Sequence, residues 1–330
     1  MLGLGLFGCG RIGRVHAATI ARSSKARLVA VYDAIDTVAR EVAESYGADV
    51  RLADEMMASA DIDAILICSP TPTHFDLITA AAAAGKPVFC EKPVDMSADR
   101  IRAAAKLVSE NNVPFLTAFN RRFDPSFALL ESQLRQGAVG EIELVSITSR
   151  DPSPPPIGYI QSSGGIFRDM MIHDFDLARF LMDEDPVRVF ASGSALVDPK
   201  IGEAGDVDTA VVVLTTASGK LCQISNSRRA TYGYDQRIEV HGSAGMLQAQ
   251  NIPEHSVLHA NASGFRAAPS KHFFLERYET AYAAELDYFV DAVVSGTPMR
   301  PSIHDGLRAQ MLADAATASL QSGAPVEIAP

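Results

Sequence analysis

The chain has 330 residues, 47% hydrophobic and 21% charged, which predicts two domains at about 100–200 residues each and excludes a disordered or collagen-like chain. Its 29 Lys and Arg against 40 Asp and Glu leave a net charge of −11 with no dense basic run, a poor basis for binding nucleic acid or an anionic membrane.

The N-terminal part alternates short apolar runs with amphipathic stretches. Strands are expected at Leu2–Phe7, Leu28–Tyr32, Ala64–Cys68, Val88–Cys90 and Phe115–Phe119, and helices at Arg14–Arg22, Thr37–Tyr46, Phe75–Ala84 and Ala98–Asn111. Asp36 and Ser97 stand where N-caps belong, and Gly47 and Gly85 where C′ glycines belong. Strand–helix alternation of this kind predicts a doubly wound α/β domain with a parallel sheet. After the first strand comes Gly8-Cys9-Gly10-Arg11-Ile12-Gly13, with Asp33 twenty residues further on at the end of the second strand. That context is the dinucleotide fingerprint. Gly8 permits the turn, Gly10 lets backbone approach a pyrophosphate, and Gly13 lets helix and strand pack closely. Asp33 would accept hydrogen bonds from ribose hydroxyls and repel a 2′-phosphate, so NAD is favoured over NADP; Arg11 is within reach of a phosphate. The alternative is a glycine-rich turn with no ligand.

Two more strand ends face the same crevice, one carrying Ser69, Thr71 and His74, the other Glu91, Lys92 and Pro93. His74 is either a ligand contact or a helix-start residue without a chemical task. Lys92 is either an ammonium at the nicotinamide end or a solvated lysine paired with Glu91.

Beyond about Arg122 the runs lengthen and alternate. Glu141–Arg150, Val187–Leu196, Thr209–Thr216, Lys220–Ala230 and Arg237–Gln250 predict a mostly antiparallel sheet, with a hairpin turn at Ser218-Gly219 and helices at Gly165–Met182, Glu276–Val294 and Ile303–Gln321. The four-proline loop Asp151–Gly158 is a rigid connector. If Gly165–Met182 is one helix, Asp169 and His173 are i and i+4, with Asp176 on the same face. A carboxylate one turn from an imidazole suits a general base. A helix-stabilising pair on a wet face is the competing reading, and metal ligation through Asp169, His173 and Asp174 or Asp176 the third. The four cysteines, Cys9, Cys68, Cys90 and Cys222, form no C-x-x-C pair, the apolar start lacks a signal peptide's charged region, and no apolar run approaches ~20 residues. The expectation is a cytoplasmic protein with reduced, structural thiols.

The glycine loop, Glu91-Lys92-Pro93, Phe119-Asn120-Arg121-Arg122-Phe123-Asp124-Pro125, the segment Gly164–Asp176, Tyr232-Gly233-Tyr234-Asp235-Gln236-Arg237 and Glu239-Val240-His241-Gly242 together resemble the glucose–fructose oxidoreductase/inositol dehydrogenase/rhizopine-catabolism family over essentially the whole chain. The resemblance implies an NAD-binding Rossmann domain at 1–120 and a substrate-binding and oligomerisation α+β domain at 121–330 with a large open sheet, whose C-terminal helices can pack back on the first domain. It implies Lys92, Asp169 and His173 as catalytic residues. Arg121 and Tyr234 would line the polyol pocket, with Asp151 where some relatives carry asparagine and Asn120 where some carry methionine. The reaction implied is NAD-dependent oxidation of a secondary hydroxyl of a cyclic polyol, myo-inositol to 2-keto-myo-inositol in inositol catabolism, by a homotetramer or dimer. Oxidation of scyllo-inositol or a related sugar, an NAD-retaining hydrolase or epimerase, and an NAD-sensing regulator are the alternatives within the family.

Overall fold

The computed structural model describes residues 1–328, and the chain divides into two compact units, 1–123 with 280–310, and 124–279 with the residues from 311 on. The first unit runs β1 (Leu2–Phe7), α1 (Arg11–Arg22), β2 (Ala26–Tyr32), α2 (Asp36–Tyr46), β3 (Asp49–Val50), α3 (Ala53–Ala58), β4 (Ala64–Ile67), α4 (His74–Ala83), β5 (Val88–Glu91), α5 (Ala98–Glu110) and β6 (Phe115–Ala118). Its strands lie in the order β3-β2-β1-β4-β5-β6, every pair parallel. Such strands read as unbroken apolar runs because helices cover both faces. Leu4, Leu6, Leu66 and Phe89 pack into one cluster, and Phe7, Ile65, Ile67 and Val88 into another on the opposite face. Leu286, Phe289 and Val290, from the helix Glu279–Ser295, complete the first cluster.

Element ends follow the local chemistry. Ser97 caps α5 through the backbone N–H of Arg100, and Gly47, at φ +67°, closes α2 in the left-handed region. Asp36 is not an N-cap: it is the first residue of α2, and Ile35 occupies the cap position without a side-chain bond. Helix α1 begins at Arg11, three residues earlier than the periodicity indicates, because the fingerprint's last residues already form its first turn. The short pair β3 and α3 carries too few residues to show a period. All four cysteines are buried, and burial, with Asp33 nearby, pushes the Cys9 thiol up to about 11, so it is no nucleophile.

The second unit contains α6 (Pro125–Arg135), β7 (Ile142–Arg150), α7 (Ile157–Ser163), α8 (Gly165–Asp169), α9 (Ile172–Met182), β8 (Pro186–Ser194), α10 (Pro199–Glu203), β9 (Thr209–Thr216), β10 (Leu221–Ser227), β11 (Asp235–Gly242), β12 (Gly245–Ala249), β13 (His259–Asn261), β14 (Gly264–Arg266), α11 (Phe274–Arg277) and β15 (Val326–Glu327). Its seven-stranded sheet has the order β12-β11-β7-β10-β9-β8-β15. Among the described residues only β7 and β10 pair in parallel within it; the other neighbours are antiparallel. The inner residues Val145, Ile147, Val212, Leu214 and Ile224 are buried, while Phe190, Val211 and Val213 on the outer face are exposed. The expected strand at Arg237–Gln250 is a hairpin: Gly242 pairs with Gly245 across a two-residue turn, and a Cβ on Gly242 would come within 2.5 Å of the Glu141 carbonyl.

The helix expected at Gly165–Met182 is also two elements. The Met171 amide bonds to the Ile166 carbonyl, five residues back, at 2.9 Å. This wide turn inserts a residue of the π type between α8 and α9, so Asp169 ends one helix and His173 lies in the first turn of the next. Among the described residues no helix is long and apolar enough to cross a membrane.

Candidate active site

Strand order reverses between β1 and β4, and ligands of open α/β sheets bind beyond the carboxyl ends of the strands at such a switch point. Phe7 pairs with Ile67 there, so the loops after the two strands lie side by side. Gly8, at φ +91°, has no room for a Cβ, which would sit 2.4 Å from the Ser69 nitrogen. At Gly13 a Cβ would sit 1.9 Å from the Gly8 carbonyl oxygen, so this glycine sets the close approach of helix to loop. A Cβ at Gly10 would meet nothing within 4 Å. Among the described residues no side chain caps α1, which leaves its first-turn N–H groups turned to an open cradle at the positive end of the helix dipole. Asp33 closes the loop from the side: its carboxylate accepts from Cys9 N at 2.7 Å and Ile35 N at 2.9 Å. These groups suit the phosphates and adenosine ribose of a dinucleotide.

Behind the crevice, His74 is buried. Its Nε2 faces the Ser69 carbonyl at 2.8 Å and its Nδ1 the Pro93 carbonyl at 3.0 Å. A neutral imidazole can donate to only one of these, so the two carbonyls favour the protonated ring. Burial acts the other way and prevails, lowering the His74 pKa below its ordinary value. The ring is therefore a brace between two crevice loops, with its polar atoms occupied by backbone. Ser69 and Thr73 hydroxyls lie 2.6 Å apart at the mouth of the first loop. Glu91 turns inward: its Oε1 lies 2.8 Å from His16 Nε2, and its Oε2 accepts the Lys92 N–H at 3.2 Å. Lys92 itself is half-buried. Asn120 and Arg121, in the turn after β6, are both buried.

In the second unit Asp169 is 14% exposed at the side chain. It accepts from the Tyr159 hydroxyl through Oδ1 at 2.8 Å and from both terminal nitrogens of Arg228 through Oδ2 at 3.2 and 3.3 Å. Residue spacing gives no sign of either partner. Arg228, just past the end of β10, is among the largest fully buried side chains. Asp174 and Asp176 are buried. Asp174 accepts from Ser149 Oγ at 2.6 Å and Asn226 Nδ2 at 2.9 Å. Among the described residues no group of three or more His, Cys, Asp or Glu is placed to hold a metal ion. Tyr234 is buried edge-on against Tyr278, next to Gly233 at φ +110°, where a Cβ would press on the Ser270 carbonyl at 2.9 Å. Asp151 is partly buried, and its N–H bonds to the Ser227 carbonyl at 3.0 Å. The structure thus gathers Gly8, Gly10, Arg11, Ile12, Gly13, Asp33, Ser69 and Thr71 about the switch point of the first unit.

Residues 2–119 match a family model described as an oxidoreductase family with an NAD-binding Rossmann fold, and residues 127–248 match the GFO/IDH/MocA C-terminal domain. The chain is 52% identical over 325 residues to inositol 2-dehydrogenase of Rhizobium meliloti, covering 98% of each. A crystal structure of a myo-inositol dehydrogenase from Corynebacterium glutamicum superposes with TM-score 0.95 at 44% identity, covering 100% of this chain and 99% of that one. The scyllo-inositol dehydrogenase of Lactobacillus casei, solved with NAD(H) and scyllo-inositol, gives TM-score 0.93 at 29% identity, covering 99% of both chains.

Proposed function

Because the chain belongs to the glucose–fructose oxidoreductase/inositol dehydrogenase/MocA family of NAD-binding oxidoreductases, we propose that it oxidises a secondary hydroxyl of a cyclic polyol, converting myo-inositol to 2-keto-myo-inositol. The observation that carries the reading is full-length similarity, at 52% identity, to a relative named for that substrate. The open cradle at Gly10 supports it. NAD, when bound, supplies the acceptor for the hydride that leaves the carbinol carbon. In this reading the α1 N-terminus and Gly10 hold the phosphates, and Asp33 holds the ribose and selects against a 2′-phosphate. The His173 imidazole takes the hydroxyl proton and becomes positive, a charge that Asp169 offsets. The Lys92 ammonium hydrogen-bonds the reacting oxygen and stabilises its developing negative charge. Arg121, Asp151 and Tyr234 supply the polar contacts that a ring bearing a hydroxyl on every carbon requires.

The same reading takes the protein as a cytoplasmic homo-oligomer, dimer or tetramer, with a second copy covering the exposed outer sheet face at Phe190, Val211 and Val213. Nicotinamide absorbance, followed with NAD or NADP and myo-inositol, scyllo-inositol or glucose in parallel, tests the activity. Reduction of NAD by myo-inositol is expected to be fastest. Preference for scyllo-inositol would reassign the isomer, and bound NAD that no polyol reduces would replace the reading with the internally cycling or sensing alternatives.

A further inference from the structure

The π-type turn at Met170-Met171 means that no continuous helix spaces Asp169 from His173, so another element must. We infer that the end of strand β10 does so, with Asn226 and Arg228 as positioning residues for the proton-transfer pair; this rests on the roles proposed above for Asp169 and His173. The inner face of β10 carries Cys222 and Ile224, both buried and apolar, and then the buried amide of Asn226; Arg228, the first residue past the strand's end, is buried too. The first of the two, Asn226, donates to Asp174 Oδ2 at 2.9 Å. Asp174 adjoins His173 in the first turn of α9 and is fully buried, its other oxygen held by Ser149 at 2.6 Å. The second, Arg228, grips Asp169 at the end of α8 through both Nη atoms. The last residues of β10 and the residue that follows them therefore hold both sides of the irregular turn.

Helix α8 is fixed at its other end too. Asp206 Oδ1 accepts the Ile166 N–H at 3.1 Å, and its Oδ2 lies 3.9 Å from Arg228. Gly165, at φ +80°, makes room for this carboxylate, since a Cβ there would come within 2.7 Å of it. A fully buried guanidinium is a poor choice for stability alone, because an apolar side chain of similar volume avoids its desolvation. The Arg228 Nε has no hydrogen-bond partner among the described residues. The fork is committed to Asp169, and what the arrangement provides is a fixed position.

The test uses the full-length protein as Arg228→Met, Arg228→Lys, Asn226→Ala and Asp169→Asn variants, with Arg228→Met and Asp169→Asn also combined. Turnover of myo-inositol, KM, NADH affinity and Tm are measured for each. Misplacing a reacting group by about an ångström costs up to about a hundredfold. Arg228→Met is expected to lower kcat by about ten- to a hundredfold with NADH affinity unchanged, Asn226→Ala to lower it less, and Arg228→Lys to recover part of the loss. In the Asp169→Asn background, Arg228→Met should change kcat by no more than about twofold, since both act through one carboxylate. Independent, multiplicative losses would overturn the inference by showing that Arg228 does not act through Asp169. So would wild-type kcat in Arg228→Met alongside a crippled Asp169→Asn. If Arg228→Met does not fold, the same cycle with Arg228→Lys decides. Wild-type turnover in Asp169→Asn itself would remove the underlying functional reading, and the positioning role with it.

Discussion

Alanine at Gly13 and alanine at Gly10, three residues apart in one loop, should damage the protein in different ways. At Gly13 the new methyl would lie 1.9 Å from the Gly8 carbonyl oxygen and 2.9 Å from its carbon, well short of ordinary contact and against backbone that cannot rotate away. Overpacking of this kind costs about 1–3 kcal/mol, which in a chain of this size lowers Tm by about 2–10 °C. The loop must also part from α1, so NAD binding falls with it. At Gly10 the methyl would meet nothing within 4 Å, and φ is −69°, a value any residue adopts. There the weaker N-cap propensity of alanine and its smaller unfolded-state entropy oppose each other, each at about 0.5–1 kcal/mol, so Tm should move by no more than about 3 °C. The methyl instead occupies the cradle. Loss of one hydrogen bond to a charged phosphate costs about 1.5–3 kcal/mol, raising Kd about ten- to a hundredfold. Differential scanning fluorimetry and NADH fluorescence titration on the same preparations separate the cases. Gly10→Ala binding NADH as tightly as the parent protein would refute the phosphate-cradle assignment, and an unchanged Tm in Gly13→Ala would refute the packing argument.

His173→Ala should reduce turnover by about 10²–10⁴-fold while leaving NADH affinity unchanged; normal turnover would remove His173 from the proton chemistry. Asp33→Ala removes the acceptor for the Cys9 and Ile35 amides and the charge facing a 2′-phosphate, so the ratio of kcat/KM for NAD over NADP should fall about tenfold or more; an unchanged ratio would place cofactor choice elsewhere. His74 gives a pH signature. Burial holds its folded-state pKa below the unfolded value, so the unfolded chain binds more protons between the two. The stabilisation is present above the unfolded value of about 6.5 and is lost as pH falls through the folded one, with a slope of at most about 1.4 kcal/mol per pH unit. His74→Gln should flatten the acid fall of Tm in that window, and an equally steep fall would assign it to other groups.

The first unit is legible in the sequence because its determinants are local. Buried parallel strands announce themselves as apolar runs, and Gly8, Gly10, Gly13 and Asp33 lie within one strand–helix–strand segment whose turn chemistry admits few alternatives. The second unit is legible as a sheet but not as a site. Its strands show their alternation, yet the helix period that spaces Asp169 from His173 is interrupted at the Met171–Ile166 bond. The partners that hold these groups, Tyr159, Asn226 and Arg228, lie 10 and 59 residues from Asp169 and 52 from Asp174, distances over which no periodicity argument reaches.

A trace of the second site is nonetheless present in β10. In a strand that buries every second residue, polar Asn226 at an inward position contradicts the pattern set by Cys222 and Ile224, and charged Arg228 is buried just past the strand's end. Desolvating an arginine costs several kcal/mol unless partners await it, so a buried arginine implies an acidic group beside it. Asp169 is that group, with Asp206 near it. Local conflict between residue type and position is expected where a fold gives up stability for function. On the roles proposed above, it marks the end of β10, which holds Asp169 and Asp174 on either side of the irregular turn, rather than the helices that carry them.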